Sequence, residues 1–535
     1  MKIQLYCFLF LFLLPGCSKK EHPQESSSPP LPKKPNIIVL MTDQERYPVH
    51  WPDDWVEKNL PARMKLQNHG LTFQRAYTAA SECSPSRAVI MTGEHFPINQ
   101  VAQTFITPLP TEKQLIDIGS LLSEKAGYEV VWKGKWHLSY SVNGGDNWSQ
   151  EDIPHLQQSY NLKDWNPPDA GNALQTVQAI YHSSPISGLS TLGGGYANND
   201  VRYVSGPSGD PKQTPGYGES VIDYLKKKAS TPVNEREPFC LFISLVNPHD
   251  VWVYPMAWEE AGYKKEDFAN LGIDLPTNYN DDLTKKPSVQ RLSRQAFDKA
   301  SPLSNFDQMK DYVNFYAYLH QVVDSQIGKI IETLDFLGLS EDTIIIRTAD
   351  HGEMGLSHGM REKAYVVYEE VIHVPFVISN PKLFPTPQTT QSFYCHLDLL
   401  PTLAELAGVP NASSYGKGVS IVPVLKDPNA SVQDSILFTY DDKFYLPPHT
   451  PEWHIRAIRE SDWTYAVYYS EDGGFEYEMY NLKNDPEQLM NLLYGDVAPE
   501  VLEEASRLHQ ELKKKIDLAE ALPKNIHWPS KPLED

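Results

Sequence analysis

Five short runs of this chain are apolar at successive positions and rich in β-branched residues. They are NIIVLMTD (36–43), YEVVWKGKWH (128–137), FCLFISLVNPHD (239–250), TIIIRTADHGE (343–353) and VPFVISN (374–380). A strand with one wet face alternates apolar and polar residues; a run without alternation has to be covered on both faces. Helical patterns lie between the runs. The clearest spans 306–337, where apolar residues recur every three or four positions. Buried strands alternating with helices predict an α/β fold, a large mostly parallel sheet flanked by helices. Toward the C-terminus the pattern changes. HIRAIRESDWTYAVYY (454–469) alternates, and an amphipathic helix is expected over about 498–520.

In an open α/β sheet, ligands bind beyond the carboxyl ends of the strands. The first run ends in Asp43-Gln44, the second leads to Lys135 and His137, the third to His249 and Asp250, the fourth to Asp350-His351. An acid after a single strand is ordinarily a helix cap, but four such ends together point to one shared site. Asp43, Gln44 and Asp350 offer hard oxygen ligands, with His351 a further candidate, and this suits a divalent cation. Calcium takes six to eight oxygens, whereas zinc prefers more His and Cys. Arg87, Lys135, His137 and His249 add positive charge and donors. A metal beside cationic donors fits a tetrahedral oxyanion, phosphate or sulfate.

The 535 residues carry 47 basic and 69 acidic side chains, a net charge of -22. That argues against nucleic acid as a partner. It also means an anionic substrate has to be drawn in by a local cationic site. The N-terminus reads MKIQLYCFLFLFLLPGCSKK. Its apolar run is shorter than the roughly 20 residues of a membrane-crossing helix and fits an export signal. Leu14-Pro15-Gly16-Cys17 resembles a bacterial lipobox. This predicts a signal peptide over 1–16, lipid on Cys17, and a bacterial lipoprotein anchored to a membrane at the periplasm or cell surface; plain secretion is the alternative. Residues 17–35 read as a flexible tether. Of the other cysteines, Cys240 and Cys395 sit in apolar runs and read as core, with a disulfide between them left open. Cys83 alone stands among polar residues, in SECSPSRAVIMTG. Pro85 fits a first helical turn, which places Cys83 at a helix N-terminus, where an anion is attracted and a low-pKa thiolate is one reading.

Cys83-Ser84-Pro85-Ser86-Arg87, followed by Thr92-Gly93, resembles the signature of the type I, formylglycine-dependent sulfatases of the alkaline phosphatase superfamily. The likeness runs over about 36–495 through MTDQ, KGKWH, NPHD, TADHG, EKAYVVYEEVIHVP (362–375) and MYNLKNDPEQLMNL (479–492). It implies a catalytic domain over 36–424 and a C-terminal subdomain, an antiparallel sheet with one helix, over 425–535. It implies that a separate maturation enzyme oxidises Cys83 to formylglycine, hydrated to a geminal diol. One hydroxyl would attack sulfur and the second would expel sulfate. Asp43, Gln44, Asp350, His351 and the modified Cys83 would bind one calcium, and Arg87 would hold the diol. Lys135 and Lys363 would bind sulfate oxygens. His137 would take a proton from the second hydroxyl, and His249 would protonate or stabilise the leaving oxygen.

This sequence departs from the pattern at Gln44, where a second Asp is common, and at His373, where Arg is usual. Lys133 is an alternative to Lys135, and Arg361 to Lys363. The implied substrate is a sulfated carbohydrate, first an algal poly- or oligosaccharide such as ulvan and second a glycosaminoglycan. A phosphate or phosphonate ester hydrolase of the same superfamily, or a catalytically silent sulfated-glycan-binding lipoprotein, are the other readings. Trp51, Trp55, Trp252 and Trp258 would either stack on a sugar or pack in the core. The insertions 141–218 and 251–305 would either shape a pocket or decorate the surface.

Overall fold

The computed structural model describes residues 31–47, 50–104, 108–111, 114–140, 142, 151–166, 199–205, 219–259, 261–442, 452–524 and 526–533. The expected signal peptide (1–16), Cys17 and most of the tether lie outside the described residues, as does most of the 141–218 insertion.

Eight strands form the main sheet: β1 (Asn36–Asp43), β2 (Gly70–Tyr77), β3 (Glu129–Gly134), β4 (Asp164–Asn166), β5 (Phe239–Pro248), β6 (Thr343–Ala349), β7 (Val377–Ser379) and β8 (Gln388–Cys395), in the order β4-β3-β5-β1-β6-β7-β2-β8. β1 lies between β5 and β6 and is parallel to both. β3 is parallel to β5 and to β4, and β2 to β8. β7 alone runs against its neighbours. The mostly parallel α/β sheet is therefore present, with one of the five apolar runs supplying the reversed strand. β1 and β5 are buried at every position, which is why they read without alternation. β2 and β8 escaped sequence reading because GLTFQRAY and QTTQSFYC carry polar residues at half-covered positions near the sheet edge.

Four helices matter here: α1 (Cys83–Thr92), α2 (Asn199–Ser205), α3 (Phe306–Phe336) and α4 (Pro499–Ala519). α3 starts where the Asn305 side chain accepts from the Gln308 N–H, a standard N-cap. Its Val323, Ile327, Ile330 and Leu334 pack with Leu241, Ile243 and Leu245 of β5. A second, antiparallel sheet has the order β12-β11-β10-β9, from β9 (Ser435–Tyr440), β10 (Trp453–Glu460), β11 (Trp463–Ser470) and β12 (Phe475–Asn481). The apolar side of α4, Leu508, Leu512 and Ile516, covers it at Ile458, Tyr465 and Val467. Phe438, Tyr440 and Ile455 share a cluster with Tyr77, Tyr365 and Tyr368, so this small sheet is packed onto the main one.

Cys240 on β5 and Cys395 on β8 are both free and buried. Five strand steps separate β5 from β8, or roughly 24 Å at sheet spacing, far outside disulfide reach. Trp51, Trp55 and Trp252 are buried in an aromatic cluster with Phe297, Tyr312 and Phe315, and Trp258 packs against it. These rings are core, and much of the 251–305 insertion is their lining.

Candidate active site

Because β1, β3, β5 and β6 are parallel, their carboxyl ends open on one edge of the sheet, and the residues singled out there meet. α1 begins at Cys83 and ends at Gly93, whose φ of +66° is a left-handed C-cap that glycine adopts without strain. The Cys83 sulfur lies 3.3 Å from His351 Nε2, 3.5 Å from Lys135 Nζ and 3.7 Å from an Asp43 oxygen. Lys135 Nζ is 2.6 Å from Asp43 Oδ2. Lys133 instead donates to the Glu219 carbonyl, so Lys135 is the lysine of this site.

Arg87 is the organiser. Its guanidinium is fully buried and spans both acids, with Nε 3.0 Å from Asp350 Oδ2 and Nη2 2.7 Å from Asp43 Oδ2. Nη1 donates to the Lys135 carbonyl and to Ser244 Oγ, each at 2.8 Å. One planar fork thus ties the ends of β1, β3, β5 and β6 to α1, a geometry that lysine cannot reproduce. Ser86 Oγ donates to the Asp350 carbonyl and Ser84 Oγ to the His137 carbonyl.

Asp43, Cys83, Asp350 and His351 each place a ligand atom within 4.8 Å of the others. His351 Nδ1 lies 2.9 Å from the Gly352 carbonyl. A carbonyl only accepts, so Nδ1 carries the proton and Nε2 turns its lone pair to the cluster, the arrangement of a metal-binding imidazole. Gln44 stands beside the cluster. Its N–H donates to Asp350 Oδ1, Oε1 accepts from Lys363 Nζ at 2.7 Å, and Nε2 donates to Glu353 and Glu362. Lys363 therefore reaches the site, while Arg361 turns to Asp298 and the Ser301 carbonyl. His373 pairs with Glu369 at 3.2 Å, a carboxylate shared with Arg459.

Burial raises the Asp43 carboxyl, but Lys135, His249, Arg87 and His351 together outweigh it and hold it well below the usual range. Cys83 is pushed up to about 11 by burial and by Asp43, against the pull of Lys135 and Lys363. Burial and Asp43 thus disfavour the thiolate, which counts against the thiolate-nucleophile reading. His137 and His249 are depressed well below 6.5, by burial first and then by Lys135, so both imidazoles are neutral before an anion arrives. His249 Nδ1 is buried and has no hydrogen-bond partner among the described residues.

Sequence reading missed several groups. Glu82, whose carboxyl burial lifts to about 8, sits 3.8 Å from Lys363. Glu362 is lifted to about 7, again by burial first, and lies 3.2 Å from Lys363. Asp200 of α2 accepts from the N–H groups of Val246 and Asn247 and so fixes the end of β5 before His249. Acids adjacent to Cys83 and Lys363 carried no signal, since such pairs are usually solvated surface.

The sulfatase family profile matches residues 35–409, and that of the N-sulphoglucosamine sulphohydrolase C-terminal region matches 356–518. The chain is 25% identical over 508 residues to the uncharacterized sulfatase YidJ of Escherichia coli, covering 94% of this chain and 90% of that one. It is 23% identical over 513 residues to the N-acetylglucosamine-6-O-sulfatase of Bacteroides thetaiotaomicron, covering 86% and 83%. Among solved structures, one in complex with its substrate D-glucosamine-2-N,6-O-disulfate superposes with a TM-score of 0.63 at 20% identity, over 91% of each chain or more. With the signature cysteine, its buried acids and this fold in place, the chain belongs to the sulfatase family of the alkaline phosphatase superfamily and is a sulfatase.

Proposed function

We propose that the protein removes sulfate from a carbohydrate, using formylglycine made from Cys83 and one divalent cation held at the sheet edge. The observation that carries this reading is the Cys83 sulfur at the start of α1, within 3.7 Å of His351, Lys135 and Asp43. Two carboxylates and one oriented imidazole fit a divalent cation. Calcium, the expected ion, favours oxygen shells, and the imidazole makes manganese or zinc the competing occupant. Asp43, Asp350 and His351 would hold it, with Gln44 and the modified Cys83 beside them. When present, the cation and the hydrated aldehyde supply a polarised sulfate and an oxygen nucleophile.

The remaining work belongs to the chain's own side chains. Lys135 and Lys363 provide the local positive charge that the acidic protein needs to hold a sulfate monoanion. Arg87 fixes Asp43 and Asp350 in their relative positions, so their charges need no rearrangement as the substrate binds. His137, neutral at rest, takes a proton at a ring nitrogen. His249, also neutral at rest, offers a ring N–H as a hydrogen-bond donor to the leaving sugar oxygen. The carbohydrate reading is supported by the sugar sulfatases that this chain resembles, and a glycosaminoglycan-type sugar is the first candidate, ahead of ulvan. On the same reading, Cys17 carries lipid and the enzyme works at a membrane surface, in the periplasm or outside the cell. Labelling by a radioactive fatty acid, abolished in Cys17→Ala, is expected; retained labelling would remove that placement.

Protein produced together with a maturation enzyme should yield a tryptic peptide over 76–87 lighter by the exchange of thiol for aldehyde. It should release sulfate from sulfated amino sugars faster than phosphate from matched phosphate esters. An unmodified thiol under competent maturation would sink the formylglycine step. Faster phosphate release would favour the phosphate or phosphonate ester hydrolase.

A further inference from the structure

Among the described residues, two groups bring three or more metal-ligating side chains within 4.8 Å of one another. One is the catalytic cluster. The other is Glu452, His454 and Glu471, at the end of the small sheet where β10 begins and β11 stops. Its geometry follows from the strand register. His454 on β10 pairs with Tyr469 on β11, and Trp453 with Ser470. Glu452 therefore falls opposite Glu471, and the Glu471 N–H donates to the Glu452 carbonyl at 3.1 Å. Residues two apart on a strand share a face, as do residues directly opposite. All three side chains thus project from one face.

The histidine is fixed as a ligand before any cation arrives. His454 Nδ1 lies 2.9 Å from Asp441 Oδ1, and Arg456 Nη2 lies 3.0 Å from the same oxygen. Asp441 and Arg456 are both buried. A carboxylate paired with arginine is ionised and can only accept, so the imidazole proton sits on Nδ1 and the lone pair on Nε2. The ring is also stacked on Tyr469, at 4.9 Å between centroids and 16° between planes, which resists its rotation. A carboxylate that orients a histidine from behind is the supporting shell of protein metal sites.

We propose that Glu452, His454 and Glu471 form a second metal site, separate from the catalytic one, that takes a first-row divalent cation of the zinc class. One imidazole and two carboxylates match the ligand types of zinc, and an open fourth position would be filled by water. The cation clamps β10 to β11, and through Asp441 it also ties in the end of β9.

The test is zinc titration of the full chain after removal of bound metal, with metal content measured per protein. Wild type should take up one zinc equivalent that His454→Ala lacks or binds at least about tenfold more weakly. Asp350→Asn should lose the catalytic cation and keep this equivalent, so failure at one site is distinguishable from failure at the other. Glu471 is exposed at the strand end, so Glu471→Gln serves if His454→Ala fails to fold, and the same weakening is expected. Equal zinc uptake in wild type and both variants would overturn the proposal.

Discussion

Replacing Cys83 with alanine is expected to lower kcat for sulfate release by at least about 10⁴-fold, the scale on which removing a covalent nucleophile acts. The fold should survive, because the change deletes one buried sulfur atom and leaves the Arg87 contacts with Asp43 and Asp350 in place. The cost in stability should be about 1 kcal/mol, the scale of one buried small group. Circular dichroism and a thermal midpoint measured beside kcat separate the two effects. Activity within tenfold of wild type would show that the attacking atom lies elsewhere.

The second large effect is on stability. Glu45 follows β1 and is fully buried, with Arg347 on β6, Arg63 at 3.7 Å and His320 at 3.8 Å around it. Glu45→Gln would leave two arginines without their shared counter-charge. Breaking a buried pair from one side costs about 3–5 kcal/mol. For a chain of this size that is a fall in Tm of about 3–5 °C, compared at one scan rate. Burial raises the Glu45 carboxyl, but Arg347, His320 and Arg63 together bring it down to about 2. The folded value is below the unfolded value of about 4.3. Its contribution is therefore complete above pH of about 4.3 and is lost as pH falls toward 2. The Tm gap between wild type and Glu45→Gln should be wide at pH 7 and narrow in acid. A gap that is absent at pH 7, or that widens in acid, would overturn this assignment.

Much of this protein was legible before any coordinates. The double-sided burial of β1, β5 and β6 is written in their apolar stretches IIVLM, FCLFI and III. α3 ran from Phe306 to Phe336, almost as its three- and four-residue spacing predicted. Strands with half-covered positions, β2 and β8, were not legible, because alternation that weak also describes loops. The site was legible in its members, since Asp43, Lys135, His137, His249, Asp350 and His351 each follow a recognisable apolar run. It was not legible in its connections. Gln44 was read as an oxygen ligand, yet its carboxamide is tied to Lys363, Glu353 and Glu362.

By itself, then, the sequence determined the α/β class, the strand ends at which these side chains gather, and the cysteine among them. Each of these rests on local pattern, on periodicity or on the residue type at a strand end. Only the tertiary structure decided which charge meets which. Arg87 bridges Asp43 and Asp350 across three elements, Asp200 steadies the strand that carries His249, and Glu45 gathers arginines from separate segments. Those pairings depend on how distant segments dock, and docking is set by packing of the whole core, which no short window of residues records.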